Sequence, residues 1–471
     1  MIKTKPKRQK LFFRLVLYRE CKKSGEGMAR YTDMLHGSLW DKIILFAIPL
    51  GLTSMCENLF NSADVAILGH YVNDTAMAAA GSTVSGISLL VTWFINLSIG
   101  VNVTVANHLG AGDKEAASRA AHTGILFSLL FGLFMTVAAR LTIVPLLNML
   151  SVPEAVMAEA GDYFGIYLLS LPFISLYNFE AAIFRSRGDT RTPFVSLAIC
   201  SVLNILLDLL AVNLFHLGIS AVAAATVFAY FLNAVLLLCA MMKGSDEMAL
   251  RFRRLRFDKK ELAEILRIGA PAGLQGSVFC LANVVIQSGI NSLGPAVMAA
   301  SSAAFIPEIL LYTIMNAFGQ AATTFIGQNR GAGNLQRCRD VFRWCMLLDC
   351  VFPISVSALL CWQAPWLMTF FTSDAEVIHY GVQRYYYVIS VEVIDAIIEV
   401  ICGALRGYGN SLPPALISVF AICGVRVLWC KTAFVAMPYF HIVLLAYPIS
   451  WVVCAVILGL YYHWFMKRVA F

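Results

Sequence analysis

The sequence predicts an all-α polytopic membrane protein with twelve transmembrane helices in two six-helix, pseudo-symmetric lobes. Three observations carry this prediction. Apolar runs long enough to cross a bilayer, about 20 residues each, occur twelve times. Lysine and arginine gather in alternate connections, and glycine and proline motifs recur in register halfway along the chain. Composition agrees: of 471 residues, 59 % are hydrophobic and 13 % charged, with a mean hydropathy of +0.74, against a charged share of about 25 % in soluble domains. The formal charge of +7 lies in the connections, where it reads as topology and not as a polyanion-binding surface, so no nucleic-acid partner is expected. The thirteen cysteines are scattered singly, without CxxC or metal spacing, and read as small packing residues.

In order, the runs lie near 42–69, 85–108, 120–148, 161–184, 194–216, 219–242, 263–291, 302–327, 341–371, 381–405, 413–436 and 442–466. Basic residues crowd the first 42 positions, the even-numbered connections (Lys114 and Arg119; Arg185, Arg187 and Arg191; Lys243 to Arg267; Arg330 to Arg343; Arg406) and the end, Lys467 and Arg468. Odd connections carry acids such as Asp74, Glu154 and Asp374, with Arg384 the nearest exception. Positive charge stays inside, so both termini are expected in the cytoplasm; the inner (cytoplasmic) membrane is the location expected for the exporter that the resemblance below implies. The early patch LFFRLVLY is short and broken by Arg14, which argues against a cleaved signal peptide. The segment before Met28 reads either as a basic surface-lying tail or as an extension upstream of a natural start at Met28.

The repeat fixes the division into halves. Pro271 and Gly273 of APAGL follow Pro49 and Gly51 of IPLGL by 222 residues, Gly331 follows Gly110 by 221, and LRGYGNSLPP (405–414) matches FRSRGDTRTP (184–193). Six helices is an even number, so both halves share one orientation and a site is expected between them. The chain then divides into a basic tail (1–40), an N-lobe (41–242), a cytoplasmic linker (243–262), a C-lobe (263–466) and a short C-terminus (467–471).

Polar residues inside the runs are the functional candidates, because an acid at the centre of a membrane helix costs roughly 2.5–3.5 kcal/mol. The first helix places Glu57, Asn61 and Asp64 on one stripe, and the fifth places Ser201, Asn204 and Asp208 on another. If the two stripes face each other, with Thr226 of the sixth helix beside them, they form an oxygen-lined pocket. Such a pocket suits a proton shared by crowded carboxylates or a sodium ion held by hard oxygen ligands; the bland alternative is a structural hydrogen-bond network between helices. In the second half, Asn61 aligns with Asn283 but Asp64 with Ile286, and Asn204 and Asp208 fall opposite Val425 and Trp429, next to Arg426. Glu392, Asp395 and Glu399 form a new stripe in the tenth helix, read as a second ion or substrate site or as charge compensation for Arg426 or Lys431. Glu57, Asn61, Asn283, Gln287, Arg426 and Trp429 are candidates for a substrate cavity. Glu308 stands isolated and Arg140 is expected to snorkel. Pro49, Pro172, Pro307 and Pro448 are expected to bend or loosen their helices, Pro49 beside the polar stripe. There is no GxxxxGK[ST] run, no paired metal-ligand histidines and no nucleophile elbow, so neither an enzyme nor a self-powered ATP pump is expected.

The combination of NSADVAILGH (61–70), NHLGAGD (107–113), LNILLD (203–208), QNRGAGN (328–334) and the paired 184–193 and 405–414 segments resembles the multidrug and toxic compound extrusion (MATE) family over about 30–466. The resemblance implies a secondary antiporter, without a cofactor, that exports amphipathic and often cationic organic compounds in exchange for inward H⁺ or Na⁺. Carried over by position, it implies that Asp64, Asn204, Asp208 and Thr226 form the N-lobe cation site and that Asp395 is a C-lobe acid. The seventh-helix glutamate of the sodium-linked branch is missing, with only Asn283, Gln287 and Asn291 there, which favours the N-lobe as the coupling site. A monomer in the bilayer is expected. The rivals are a lipid-linked oligosaccharide flippase of the same superfamily, which would want basic groups in its cavity, and a non-transporting receptor or assembly factor.

Overall fold

The computed structural model describes residues 32–150, 152–215, 217–243 and 249–469, and of Asn61 the backbone alone. The segment around Met28 and any side-chain role of Asn61 therefore lie outside the described residues. The first half comprises α1 (Trp40–Tyr71), α2 (Asp74–Gly110), α3 (Lys114–Leu141), α4 (Glu154–Ser186), α5 (Arg191–Leu214) and α6 (Ile219–Met242). The second comprises α7 (Lys259–Asn291), α8 (Pro295–Gly331), α9 (Leu335–Trp362), α10 (Ala375–Tyr387 and Val393–Gly407), α11 (Leu412–Ala436) and α12 (Phe440–Val469). Eleven of these are long and apolar enough to cross a membrane. The other, α10, is interrupted by the 3-10 turn Ile389–Val391.

Helix starts follow local capping chemistry more than hydropathy. Asn73 accepts the Ala76 N–H at 2.7 Å and starts α2 at Asp74, well before the apolar run at 85. Asp113 and Asn334, repeat-related, cap α3 and α9 by accepting from Ala116 (2.8 Å) and Arg337 (3.0 Å); such a cap contributes about 1 kcal/mol. The predicted spans 120–148 and 341–371 each split in two, because Pro145 and Pro365 lack an N–H and sit in the first turn of separate short helices, Ile143–Met149 and Ala364–Thr369. Pro49 stays inside an uninterrupted α1, whereas Pro172 follows a 3-10 turn in α4. The break in α10 puts Glu392 and Asp395 at the start of its second segment, where the helix dipole favours negative charge.

The repeat extends to backbone conformation. Gly112 and Gly333 have φ of 76° and 72°, and Gly188 and Gly409 have 88° and 72°, a region L side chains rarely adopt. The first turns of α1 leave their own half: Phe46 and Leu50 pack with Phe325 of α8, Val341 of α9 and Val400 of α10. In the mirror arrangement, Ile265 of α7 packs among Leu97, Ala121 and Phe179 of the first half.

At the end bearing the basic connections, the lobes are joined by several hydrogen bonds. Asn102 donates to Thr324 at 3.0 Å, Arg185 to Gln320 at 2.6 Å, Gln328 to the Ser186 carbonyl at 2.6 Å, and His108 lies 2.9 Å from Glu261. Among the described residues, the hydrogen bond between lobes nearest the other end is Cys280 to Thr92, 3.9 Å, at mid-length of α2 and about two-thirds of the way along α7. Beyond it the lobes part.

Candidate transport sites

In the first lobe, α1, α5 and α6 bring one polar turn each to a common point away from the basic end. Asn204, Asp208 and Thr226 are fully buried and Asp64 is 1 % exposed. Four-residue spacing sets Asn204 and Asp208 on one face of α5, and that face meets α1. Thr226 Oγ1 donates to Asp64 Oδ2 at 2.8 Å, and Asn204 Nδ2 to Thr226 Oγ1 at 3.5 Å. Asp208 and Tyr163 of α4 flank Asp64, with Tyr167 and Tyr230 closing the chamber. Asp64 Oδ1, both Asp208 carboxylate oxygens, Asn204 Oδ1 and Ser201 Oγ find no hydrogen-bond partner among the described residues. Unpartnered acceptors are costly in an apolar interior, and two adjoining carboxylates share one deficit, which a single positive charge fits. Directly after Asp208, α5 passes into a π-helical turn, Leu210–Leu214, a feature often found at functional sites.

A second space of about 380 Å³ lies between the lobes. Glu57 of α1, Glu308 of α8, and Glu392, Asp395 and Glu399 of α10 line it, together with Arg406 and Arg426. Asn316 donates to Glu399 at 3.4 Å. Glu308 is held by Arg384 through two bonds, 2.8 Å from Nε and 3.0 Å from Nη2. Arg426 donates to Ser450 (3.2 Å) and Asn283 (2.8 Å) and lies over the Tyr447 ring, 4.5 Å from its centroid. The Asp64 chamber is separate: neither Asp64 nor Asp208 lines this space.

The MatE family model matches this chain twice, over residues 49–210 and 271–431, one match in each lobe. The chain belongs to the MatE family. Its members are transporters, not enzymes, and this MatE protein is accordingly a multi-pass membrane transporter. It is 26 % identical over 446 residues to the probable multidrug resistance protein YoeA of Bacillus subtilis (strain 168), covering 92 % of this chain and 95 % of that one. It is 28 % identical over 410 residues to the probable multidrug resistance protein NorM of Thermotoga maritima, covering 86 % and 87 %. Its fold matches an outward-facing multidrug resistance MATE family transporter of the MOP superfamily with a TM-score of 0.86 at 19 % identity, over 94 % of this chain and 100 % of that one.

Of the residues read from sequence in this MatE protein, Asp64, Asn204, Asp208 and Thr226 come together in one chamber. Glu57, Asn283, Arg426 and the three α10 acids line the inter-lobe cavity. Gln287 and Trp429 do not. Gln287 is exposed and donates to Asn291 at 2.8 Å, beyond the cavity's end on α7, and the Trp429 ring N–H is taken by the Ile442 carbonyl at 2.7 Å. Glu308 is not isolated, and Arg384, read from sequence beside an outer connection, is the buried partner that neutralises it. Arg140 donates to the Gly165 carbonyl at 2.8 Å, which ties it to α4. Among the described residues no carboxylate lies within 4 Å of Arg426, so the acid stripe makes no direct ion pair with it, and Lys431 is exposed. The sequence reading missed Asp349 of α9 and Glu180 of α4, both fully buried with no partner for either oxygen among the described residues. An acid inside an apolar run, the same signal that marked Asp64, was present at each.

Proposed function

We propose that this MatE protein is a monomeric antiporter of the inner membrane that exports amphipathic organic compounds carrying a cationic group, with both termini in the cytoplasm. The inter-lobe cavity holds the compound, and Asp64, Asp208, Asn204 and Thr226 hold the coupling ion, H⁺ or Na⁺. The observation that carries the reading is the closed chamber of two carboxylates with unpartnered oxygens, set apart from a larger cavity shared by both lobes. A site of that kind is charged in one state and neutralised in another, and the neutralised state lets α1 and α5 repack without a bare charge in the membrane. Coupling then follows from alternating access: ion and compound bind different conformations with different affinity, so each displaces the other's preferred state. The positive-inside pattern supports the orientation, with the basic end cytoplasmic. The α10 acids Asp395, Glu399 and Glu392 would receive the cationic group or a second ion. The test is efflux of a fluorescent organic cation from proteoliposomes with proton and sodium gradients imposed separately. Efflux should follow one of the two, and efflux indifferent to both would remove the antiporter reading.

A further inference from the structure

Residues 251–258, between α6 and α7, are stapled to α3 at both ends. Leading in, Ala249 and Leu250 are buried, and the Arg251 N–H donates to His122 Nε2 at 3.1 Å. At the far end, Thr123 Oγ1 donates to the Arg256 carbonyl at 3.3 Å and accepts the Asp258 N–H at 3.1 Å, and Asp258 Oδ2 lies 3.5 Å from Arg119 Nε. Between the staples the backbone makes a 3-10 turn, Phe252–Arg254, and the side chains turn outward. Arg251, Arg253, Arg254 and Arg256 are exposed, as are Phe252 (60 %) and Phe257 (43 %). None of these four arginines has a carboxylate within 4 Å among the described residues; the acids that follow are taken, Asp258 by Arg119 and Glu261 by His108 at 2.9 Å.

Depth decides what this loop meets. His122 lies eight residues into α3, about 12 Å from its start at 1.5 Å per residue, and the apolar run of that helix begins near 120. The staples therefore hold the loop where α3 passes from water into hydrocarbon. The side of the helix matters equally. Leu129 and Leu133 fall on the stripe of His122, and Leu130 and Phe134 on that of Thr123; all four are exposed, a face that turns to acyl chains in a bilayer. At the foot of such a face, phenylalanine rings enter the headgroup region. Guanidinium groups beside them meet phosphate oxygens with the planar, bidentate geometry that suits both.

We propose that residues 251–257 form a binding site for anionic phospholipid of the leaflet at the basic end, with Phe252 and Phe257 seated among the headgroups and the four arginines on their phosphates. The site runs straight into Asp258, which caps α7 by accepting the Lys260 and Glu261 N–H groups at 2.9 Å and 3.3 Å. Lipid bound there ties the start of α7 to α3 and stabilises the folded chain.

The full chain in a neutral detergent at low salt is titrated with phosphatidylglycerol or phosphatidylcholine, and the rise in unfolding temperature gives the affinity for each. Phosphatidylglycerol should bind about tenfold more tightly or better, and high salt should remove most of that preference. Arg251→Gln, Arg253→Gln, Arg254→Gln and Arg256→Gln together should weaken phosphatidylglycerol binding by about 25-fold or more, the product of two surface contacts at about fivefold each. The same change at four other exposed basic residues, Lys114, Arg191, Lys467 and Arg468, should weaken it by less than about threefold. Phe252→Ser with Phe257→Ser should weaken it about tenfold, since the rings lose their apolar seat. An arginine variant that binds like the wild type, or a control variant that loses as much, overturns the proposal. So does unchanged binding by the phenylalanine variant, which would mark a patch for soluble anions. If the arginine variant does not fold, the wild type decides: equal binding of the two lipids, or a preference indifferent to salt, overturns the proposal.

Discussion

Gly110 of α2 packs directly on the Gln328 carbonyl of α8, and a methyl group at Gly110 would overlap that oxygen; Gly331 of α8 meets the Asn107 carbonyl of α2 in the repeat-related contact. The two glycines let the helices of opposite lobes touch backbone to backbone at the basic end. Among the described residues, no glycine joins α2 and α8 in this way at the other end, where α2 begins at Asp74 and α8 at Pro295. The lobes are thus locked on one face by close packing and parted on the other. Any state open at the basic end must break this contact.

Gly110→Val should therefore bias the protein toward that state. Overpacking costs about 1–3 kcal/mol, a factor of about 5–150 in a two-state balance. A cysteine placed at Thr324, fully buried and bonded to Asn102 across the lobes, reports the change in a background without native cysteines. Reagent reaching it from the basic side should label it faster in Gly110→Val than in wild type. Equal labelling would show that the contact does not hold the lobes together.

Asp64→Asn and Asp208→Asn should each abolish gradient-driven efflux while the protein still folds and inserts, since an amide is less costly in that chamber than the acid it replaces. Substrate binding should survive, because the cavity shares neither residue. Wild-type efflux from Asp64→Asn would end the assignment of the chamber as the coupling site.

Asn204→Ala and Thr226→Ala separate the two ions. Thr226 bonds Asp64 directly and Asn204 acts through it. If Na⁺ is coupled, both lose oxygen ligands, and sodium-driven efflux should weaken strongly. If H⁺ is coupled, efflux should persist with a displaced pH profile, because only hydrogen bonding to a carboxylate has changed.

The Glu308–Arg384 pair should behave as a buried ion pair. Arg384→Met leaves Glu308 uncompensated and should destabilise the protein by about 3–5 kcal/mol, whereas Glu308→Leu with Arg384→Met should recover most of that loss. Thermal unfolding in detergent measures both. A double variant no more stable than the single one would mean that Arg384 acts through Ser301 or its neighbouring rings.

Orientation is testable at two exposed positions. Cysteines at Glu154 and Arg253, both exposed, should label from outside intact cells at 154 and resist at 253. Leu250, in the same connection, is buried against the first lobe and unsuited to the purpose. Strong external labelling at 253 would invert the orientation.

Much of the architecture was legible in the residues because it rests on local physics. A bilayer requires long apolar helices, so twelve of them stood out. Caps such as Asp113 and Asn334 and left-handed glycines such as Gly112 and Gly333 act within one turn, so the repeat they form was readable without any fold. What was misjudged depends on partners far along the chain. Glu308 looked isolated because Arg384 lies 76 residues away. Gln287 and Trp429 looked like cavity residues because helical spacing gives the face of a helix, not the depth at which a cavity ends.

By itself the sequence determined that this chain crosses a membrane twelve times in two like halves and carries acids on helical stripes, since insertion cost and helical period act on each segment alone. Only the tertiary structure decided which stripes meet. It brought Asp64 to Asp208, 144 positions away in sequence, kept both out of the inter-lobe cavity, and gave Arg384 a carboxylate partner that Arg426 lacks among the described residues. The physical reason is that side-chain pairing across helices depends on their rotation and depth within the bundle. Those are set by contacts such as Gly110 on Gln328, to which no single helix contributes more than one side.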